Sequence, residues 1–398
     1  MNDLEIFLVA VAAIWALVLI TYKKFDLKKR GFSIYPYMAT LMWRTERGLH
    51  TMDRIAKRWR SRWLFFGNLA IFLGVFFMLF VTINLLLNAI INLTTPRAMP
   101  GVAFVVPGLI PGLTVIIWLI VIGVVLGFHE FFHGFLLRAQ NLRTKSIGLM
   151  LFLFIPGAFV EPDEKRLMKA KPKARARMFA AGPISNVVTS FLFLCIILAL
   201  VAPKPGVYVY GVAKGYPAEN IPVGARIVML DNFYVETIEN YDNFFYGKKP
   251  GENVRVETDT DNFHLTLKQY PGNENIGTIG AVVMRAVPPY QFLNPLFMLS
   301  STAAVILGAP VFHPIVYSSV VPFVVIDVLK WIFVLSLGVG LFNLLPAKPL
   351  DGGYVLEALL ELKISREKAR KVVKATSYLV LILIIINIAT PYLRAVLS

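Results

Sequence analysis

Residues 113–137 read LTVIIWLIVIGVVLGFHEFFHGFLL, and they decide how the rest of the chain is understood. As a helix, these 25 residues rise about 37 Å at 1.5 Å each, enough to cross a hydrocarbon core of roughly 30 Å. The ionisable residues of the run are His129, Glu130 and His133. Four residues apart on a helix, the two imidazoles share a face and can reach one metal ion, with Glu130 beside them. The bland reading is that such polar residues merely join helices. Ionisable groups at membrane depth are costly and mark function, and three within five positions weigh against that reading.

Composition agrees with a lipid-facing surface. Hydrophobic residues make up 57% and charged residues 16% of the 398, against roughly a quarter charged in ordinary globular chains. The mean hydropathy is +0.66. These values exclude a disordered chain, a fibrous one and a plain cytosolic enzyme. The single cysteine, Cys195, excludes an internal disulfide and a multi-cysteine zinc or iron–sulfur centre. Further apolar runs lie at 4–21, 63–93, 179–202, 322–345 and 375–393. The expected fold is a polytopic α-helical membrane protein with about six transmembrane helices. The first run fits a signal peptide poorly, since acids stand at its opening, Asp3 and Glu5, and no small-residue cleavage site follows.

Basic residues orient these runs. Of 40 Lys and Arg, 28 fall in 22–62, 138–177 and 360–374. Placed in the cytoplasm, these segments obey the positive-inside bias and account for the net +16 without a nucleic-acid partner. The connection 94–112 carries only Arg97, and 203–290 holds eight basic and ten acidic residues. Both are expected outside, with both termini, in a protein of the cell membrane. Two stretches resist a simple crossing. In 292–320, Pro295, Gly308, Pro310 and Pro314 break the run, and parity favours an interfacial or re-entrant element. In 147–160, Gly148, Pro156 and Gly157 suggest a hairpin or loop dipping in from the cytoplasmic side.

The expected divisions are therefore 1–112, N-terminal helices with a basic loop; 113–202, core helices; and 203–290, an outer domain. They continue with 291–321, the interfacial segment; 322–353, a further core helix; and 354–398, a basic loop and last helix.

Zinc suits two neutral imidazoles with a carboxylate and leaves a position for water, which Glu130 can deprotonate. The candidate third ligand is Asp351, in Asn343-Leu-Leu-Pro346-Ala-Lys348-Pro349-Leu350-Asp351-Gly352-Gly353. It follows the fifth run at its cytoplasmic end, where the third run also delivers His129. Two alternatives stand beside this: Asp351 as a cap for a helix starting near Tyr354, and Asp327 as ligand, although it lies toward the outer end. Ala181-Gly182-Pro183-Ile184-Ser185-Asn186 opens the fourth run. Asn186 is either a group that hydrogen-bonds a substrate backbone or oxyanion, or a helix cap.

These motifs, in this order, resemble the site-2 proteases, intramembrane zinc metalloproteases. His129–His133 matches HExxH, Gly182–Asn186 the glycine-proline-x-x-asparagine segment, and Asn343–Gly352 the NxxP…LDG segment. Pro156-Gly-Ala-Phe-Val160 looks like the archaeal and metazoan branch. The resemblance covers about 113–202 and 322–353. It implies cleavage of a single-span membrane protein within or near its transmembrane segment, usually after another protease has trimmed it. His129, His133 and Asp351 would hold one zinc ion, Glu130 would be the base, and Asn186 and Asn343 would bind or position substrate. Lys348 departs from the proline of many members.

Residues 206–287, with alternating strands at Val254-Arg-Val-Glu-Thr and Phe263-His-Leu-Thr-Leu267, resemble a circularly permuted PDZ domain. It either captures a C-terminus or, as favoured, filters substrates by size. The runner-up function is a non-catalytic zinc-binding membrane scaffold or receptor that binds peptides through this domain. A chambered membrane zincin would use a downstream glutamate ligand, and a transporter would show an internal repeat.

Overall fold

The computed structural model describes residues 3–35, 39–94, 105, 107, 110, 113–153, 155–306, 309 and 311–397. Arg97 and most of the 94–112 connection lie outside the described residues.

The chain opens with α1 (Asp3–Lys24), which coincides with the apolar run 4–21. Two short strands follow, β1 (Phe32–Tyr35) and β2 (Thr40–Thr45), then α2 (Leu49–Arg58), α3 (Arg60–Thr94) and α4 (Val115–Ala139). β3 (Thr144–Phe152) and β4 (Ile155–Pro162) form a hairpin before α5 (Glu164–Lys169) and α6 (Pro172–Leu200). Among the described residues, five helices are long and apolar enough to cross a membrane: α3, α4, α6 and two near the C-terminus, Phe323–Asn343 and Arg366–Thr390.

Compact packing divides the chain into 1–194 with 330–398, and 195–329. The second of these contains the expected 203–290 domain. Its elements are β5 (Val201–Pro203), β6 (Val207–Val212), β7 (Arg226–Leu230), β8 (Phe233–Tyr234), α7 (Ile238–Phe245), β9 (Asn253–Thr258) and β10 (Asn262–Thr266). They continue with β11 (Lys268–Tyr270), β12 (Asn273–Thr278), β13 (Ala281–Met284), α8 (Pro295–Ile306) and β14 (Tyr317–Ser319). One sheet runs β10-β9-β7-β6-β13, with β8 on β7. Val207 and Val209, and Val254 and Val256, alternate inward from its strands onto Tyr241 and Phe245 of α7, as half-buried strands must, and an irregularity between Ile227 and Met229 turns both Ile227 and Leu230 inward from β7.

The doubtful 292–320 stretch belongs to this unit. α8 has 12 residues, about 18 Å of helix, too short to span. Phe292 and Phe312 stack with ring centroids 4.8 Å apart, Phe297 and Tyr317 join them, and β14 pairs with β5.

The chain then returns through α9 (Phe323–Asn343), α10 (Asp351–Leu360) and α11 (Arg366–Leu397). Ala70 and Met78 of α3 pack against Ala180 and Ile184 of α6 and Val355 of α10. Leu85 and Ala89 of α3 meet Val380 and Leu383 of α11. The span of α9 is 56% buried against 22% for α3, α4 and α11. Phe65, Phe72, Phe76 and Leu79 stand exposed along α3, a surface suited to lipid rather than water.

The 147–160 segment is a regular hairpin. β3 and β4 pair antiparallel from Ile147↔Val160 to Phe152↔Ile155, and β2 pairs along β3 from Thr40↔Phe152 to Thr45↔Ile147. The order β1-β2-β3-β4 leaves one edge of β4 outermost. A Cβ at Gly148 would strike the Trp43 carbonyl and the Phe159 ring, so the strand approach requires glycine there. The sheet's first two strands come from the basic 22–62 segment, where the sequence pattern suggests only a loop.

Candidate metal centre

Near its C-terminal end, α4 presents His129 and His133 on one face, both buried. Their Nε2 atoms lie 3.1 Å apart. Oδ2 of Asp351 is 3.0 Å from Nε2 of His129 and 3.4 Å from Nε2 of His133. Ligands about 2.0–2.1 Å from a tetrahedral zinc are separated by roughly 3.3 Å, so the three edges fit such an ion in length and donor chemistry. Among the described residues this is the one cluster of three or more such side chains able to hold a metal.

Each donor is aimed by its neighbours. Nδ1 of His133 lies 2.7 Å from the Met178 carbonyl, so its proton belongs on Nδ1 and the Nε2 lone pair faces the cluster. Asp351 is the first residue of α10; the cap position is Leu350, and no side chain caps this helix. The capping alternative for Asp351 therefore gives way to contact with the imidazoles. The turn before Asp351 is tight: Cβ atoms at Gly352 and Gly353 would meet the backbone of Leu344 and Ala347.

Asn186 sits well inside α6, which begins at Pro172 and carries Pro183 within it. It is not a helix cap. Fully buried, it places its amide nitrogen 3.1 Å from Nδ1 of His129, and its Oδ1 has no hydrogen-bond partner. Gly182, one turn earlier, stands against both imidazoles, and a Cβ there would collide with Nε2 of His133 and of His129. In the sequence Gly182 stands in a motif with no task of its own; a glycine inside a helix is the available signal.

Glu130 accepts a hydrogen bond of 3.0 Å from the Val160 backbone N–H of β4. It lines two spaces at once. One, about 280 Å³, also holds His129, His133, Asn343, Pro349 and Asp351. The other, about 390 Å³, is an apolar groove between Gly123 and Gly127 of α4 and Gly157, Ala158 and Val160 of β4. Asn343 lines the first space, and its Nδ2 donates to the Val339 carbonyl at 3.1 Å. Lys348 pairs with Glu357 and lies 4.6 Å over the Tyr354 ring.

Residues 117–386 match the model of Peptidase family M50. An uncharacterized protein of Methanocaldococcus jannaschii is 26% identical over 231 residues, covering 58% of this chain and 53% of its own length. The chain thus spans about half of the curated relative it matches. Among solved structures, the PDZ domain of the SdrC-like protein from Listeria monocytogenes is 19% identical, over 21% of this chain and 92% of that one, with a TM-score of 0.19. A solution structure from Geobacillus thermodenitrificans is 30% identical over 19% of this chain and 94% of that one, with a TM-score of 0.18.

Proposed function

The chain belongs to peptidase family M50, and we propose that it is an intramembrane zinc metalloprotease that hydrolyses a peptide bond within or near the transmembrane segment of a membrane-anchored protein. The observation that carries this reading is the position of Glu130, beside the His129–His133–Asp351 triangle and at the junction with the apolar groove.

In this proposal His129, His133 and Asp351 hold one zinc ion, which when bound supplies Lewis acidity to water and to the scissile carbonyl. Glu130 takes the proton of the attacking water and delivers it to the leaving amine. Asn186 is oriented by the chemistry of His129. An imidazole that presents its Nε2 lone pair carries its proton on Nδ1, so the amide must offer oxygen there; turning the Asn186 amide over supplies it and satisfies the unpartnered Oδ1. Asn343 borders the space where the substrate backbone would lie.

A helical substrate keeps its peptide groups paired, so it must unwind before attack. The outer edge of β4 provides partners for the unwound segment. Ala158 shares the edge orientation of Val160 by the period-two alternation of a strand, and the glycines of α4 leave room for substrate side chains. We further assign the active site to the cytoplasmic side of the cell membrane, the 203–290 domain to the outer side as a PDZ-like size filter, and the substrate to single-span proteins already trimmed by another protease.

The scaffold reading accounts for the metal ligands but gives Glu130 no task. The test is bound metal measured beside cleavage of a single-span substrate. Glu130→Gln should keep its zinc and lose cleavage by 100-fold or more, an order-of-magnitude expectation for a general base. Near wild-type cleavage would remove Glu130 as the base.

A further inference from the structure

Arg370, Lys374 and Tyr378 follow one another at intervals of four on α11, so their side chains lie in line on one face. Lys348 and Glu357 face them, with Ser377 between, around a cleft of about 300 Å³. Three cations and one carboxylate line it. Glu357, only 2% exposed, takes Nζ of Lys348 and Nε of Arg370. Among the described residues, the terminal amino groups of Arg370 have no acceptor. Nor does Nζ of Lys374, which lies 5.9 Å over the Tyr378 ring. The cleft therefore holds an excess of positive charge with unused donors, the chemistry that receives a phosphate oxyanion.

The same face continues into lipid-exposed carbon. Ile382 and Ile385 extend the line of Arg370, Lys374 and Tyr378, and each is 54% exposed. Tyr378 marks the change from charged to apolar, where an interfacial aromatic belongs. A free anion would use the upper half of this surface only. Both halves together fit a phospholipid, with its phosphate in the cleft and an acyl chain along the isoleucines. A zwitterionic headgroup would bring its own ammonium against Arg370 and Lys374; an anionic one would not.

We propose that this cleft is a binding site for an anionic phospholipid, with Arg370, Lys374 and Lys348 holding the phosphate. The site touches the turn that carries Asp351. The Lys348 backbone N–H donates to Oγ of Ser377 at 2.9 Å, so a lipid seated between Lys348 and Lys374 ties α11 to that turn. The inference rests on α11 being a membrane span and is independent of whether the chain cleaves peptides.

The test uses the purified full chain in detergent, with phosphatidylglycerol or phosphatidylcholine added and retained lipid counted by native mass spectrometry. At least one phosphatidylglycerol should be held in preference to phosphatidylcholine. Arg370→Gln with Lys374→Gln should weaken it about tenfold or more, since each basic group near an anionic surface matters at that scale. Both side chains are exposed, so folding is retained, and helical circular dichroism checks it. Lys363→Gln with Lys368→Gln removes the same charge from residues that do not line the cleft and should leave binding unchanged. Equal weakening by both pairs, or equal retention of phosphatidylcholine, would overturn the site. Displacement of the lipid by an equal concentration of inorganic phosphate would mark a free-anion site and overturn the lipid assignment.

Discussion

Nε2 of His129 and Oδ2 of Asp351 lie 3.0 Å apart across 222 positions of sequence. Leu137 of α4 packs with Met178 of α6, and Ala180 and Ile184 of α6 pack with Val355 of α10, which brings them together. Asp351→Ala should therefore cut bound zinc to well under one ion per chain while leaving helix content unchanged. Metal analysis of the purified variant checks it, and full metal occupancy would move the third ligand elsewhere.

Gly182→Ala is expected to behave as a ligand mutation although it removes no donor. Its methyl group would occupy the space between the two imidazoles. Zinc content should fall with His129, His133 and Asp351 all present. A variant with wild-type metal content would show that the histidines can step aside.

For Asn186, substitution by Ala should lower zinc affinity about 10- to 100-fold, the usual effect of removing a group that orients a metal-bound histidine. Competition with a chelator of known affinity reads this directly. Lost cleavage at unchanged zinc affinity would instead return Asn186 to the substrate.

Gly127→Val tests the apolar groove. A Cβ at Gly127 meets nothing within 4 Å, so the larger side chain folds without strain from neighbours and fills space meant for substrate. Cleavage should drop by tenfold or more, on the order of one lost hydrophobic subsite, with zinc retained. Unchanged cleavage would place the substrate elsewhere.

Orientation can be read with cysteines at 30, 170 and 240 in a chain whose Cys195 is replaced. Positions 30 and 170 should be labelled from one side of the membrane and 240 from the other. Labelling of 240 with 30 would reverse the arrangement of the 203–290 domain.

Much of this centre was legible before the structure. A spacing of four puts His129 and His133 on one face of any helix, and the alternation of basic segments places Asp351 at the same end of the bundle. Asn186 was harder. Hydropathy starts the fourth run near 179, because the first turns of α6 are Lys- and Arg-rich, so a residue deep in the helix looked like one at its start. The task of Gly182 depends on tertiary distance to two imidazoles, which no local pattern encodes. β1 and β2 were hidden for a related reason: their strands are short, and Arg44 interrupts an alternation that only pairing with β3 makes visible.

The four-stranded order has a final consequence for the N-terminal segment. Because β2 covers β3, the hairpin keeps a single open rim, and that rim adjoins Glu130. A chain shortened past Thr45 would bare a second rim on β3, remote from the glutamate, where a stretched polypeptide could bind and go uncut. The opening residues thereby act as a blank on the β3 side, leaving the hairpin open only beside the glutamate.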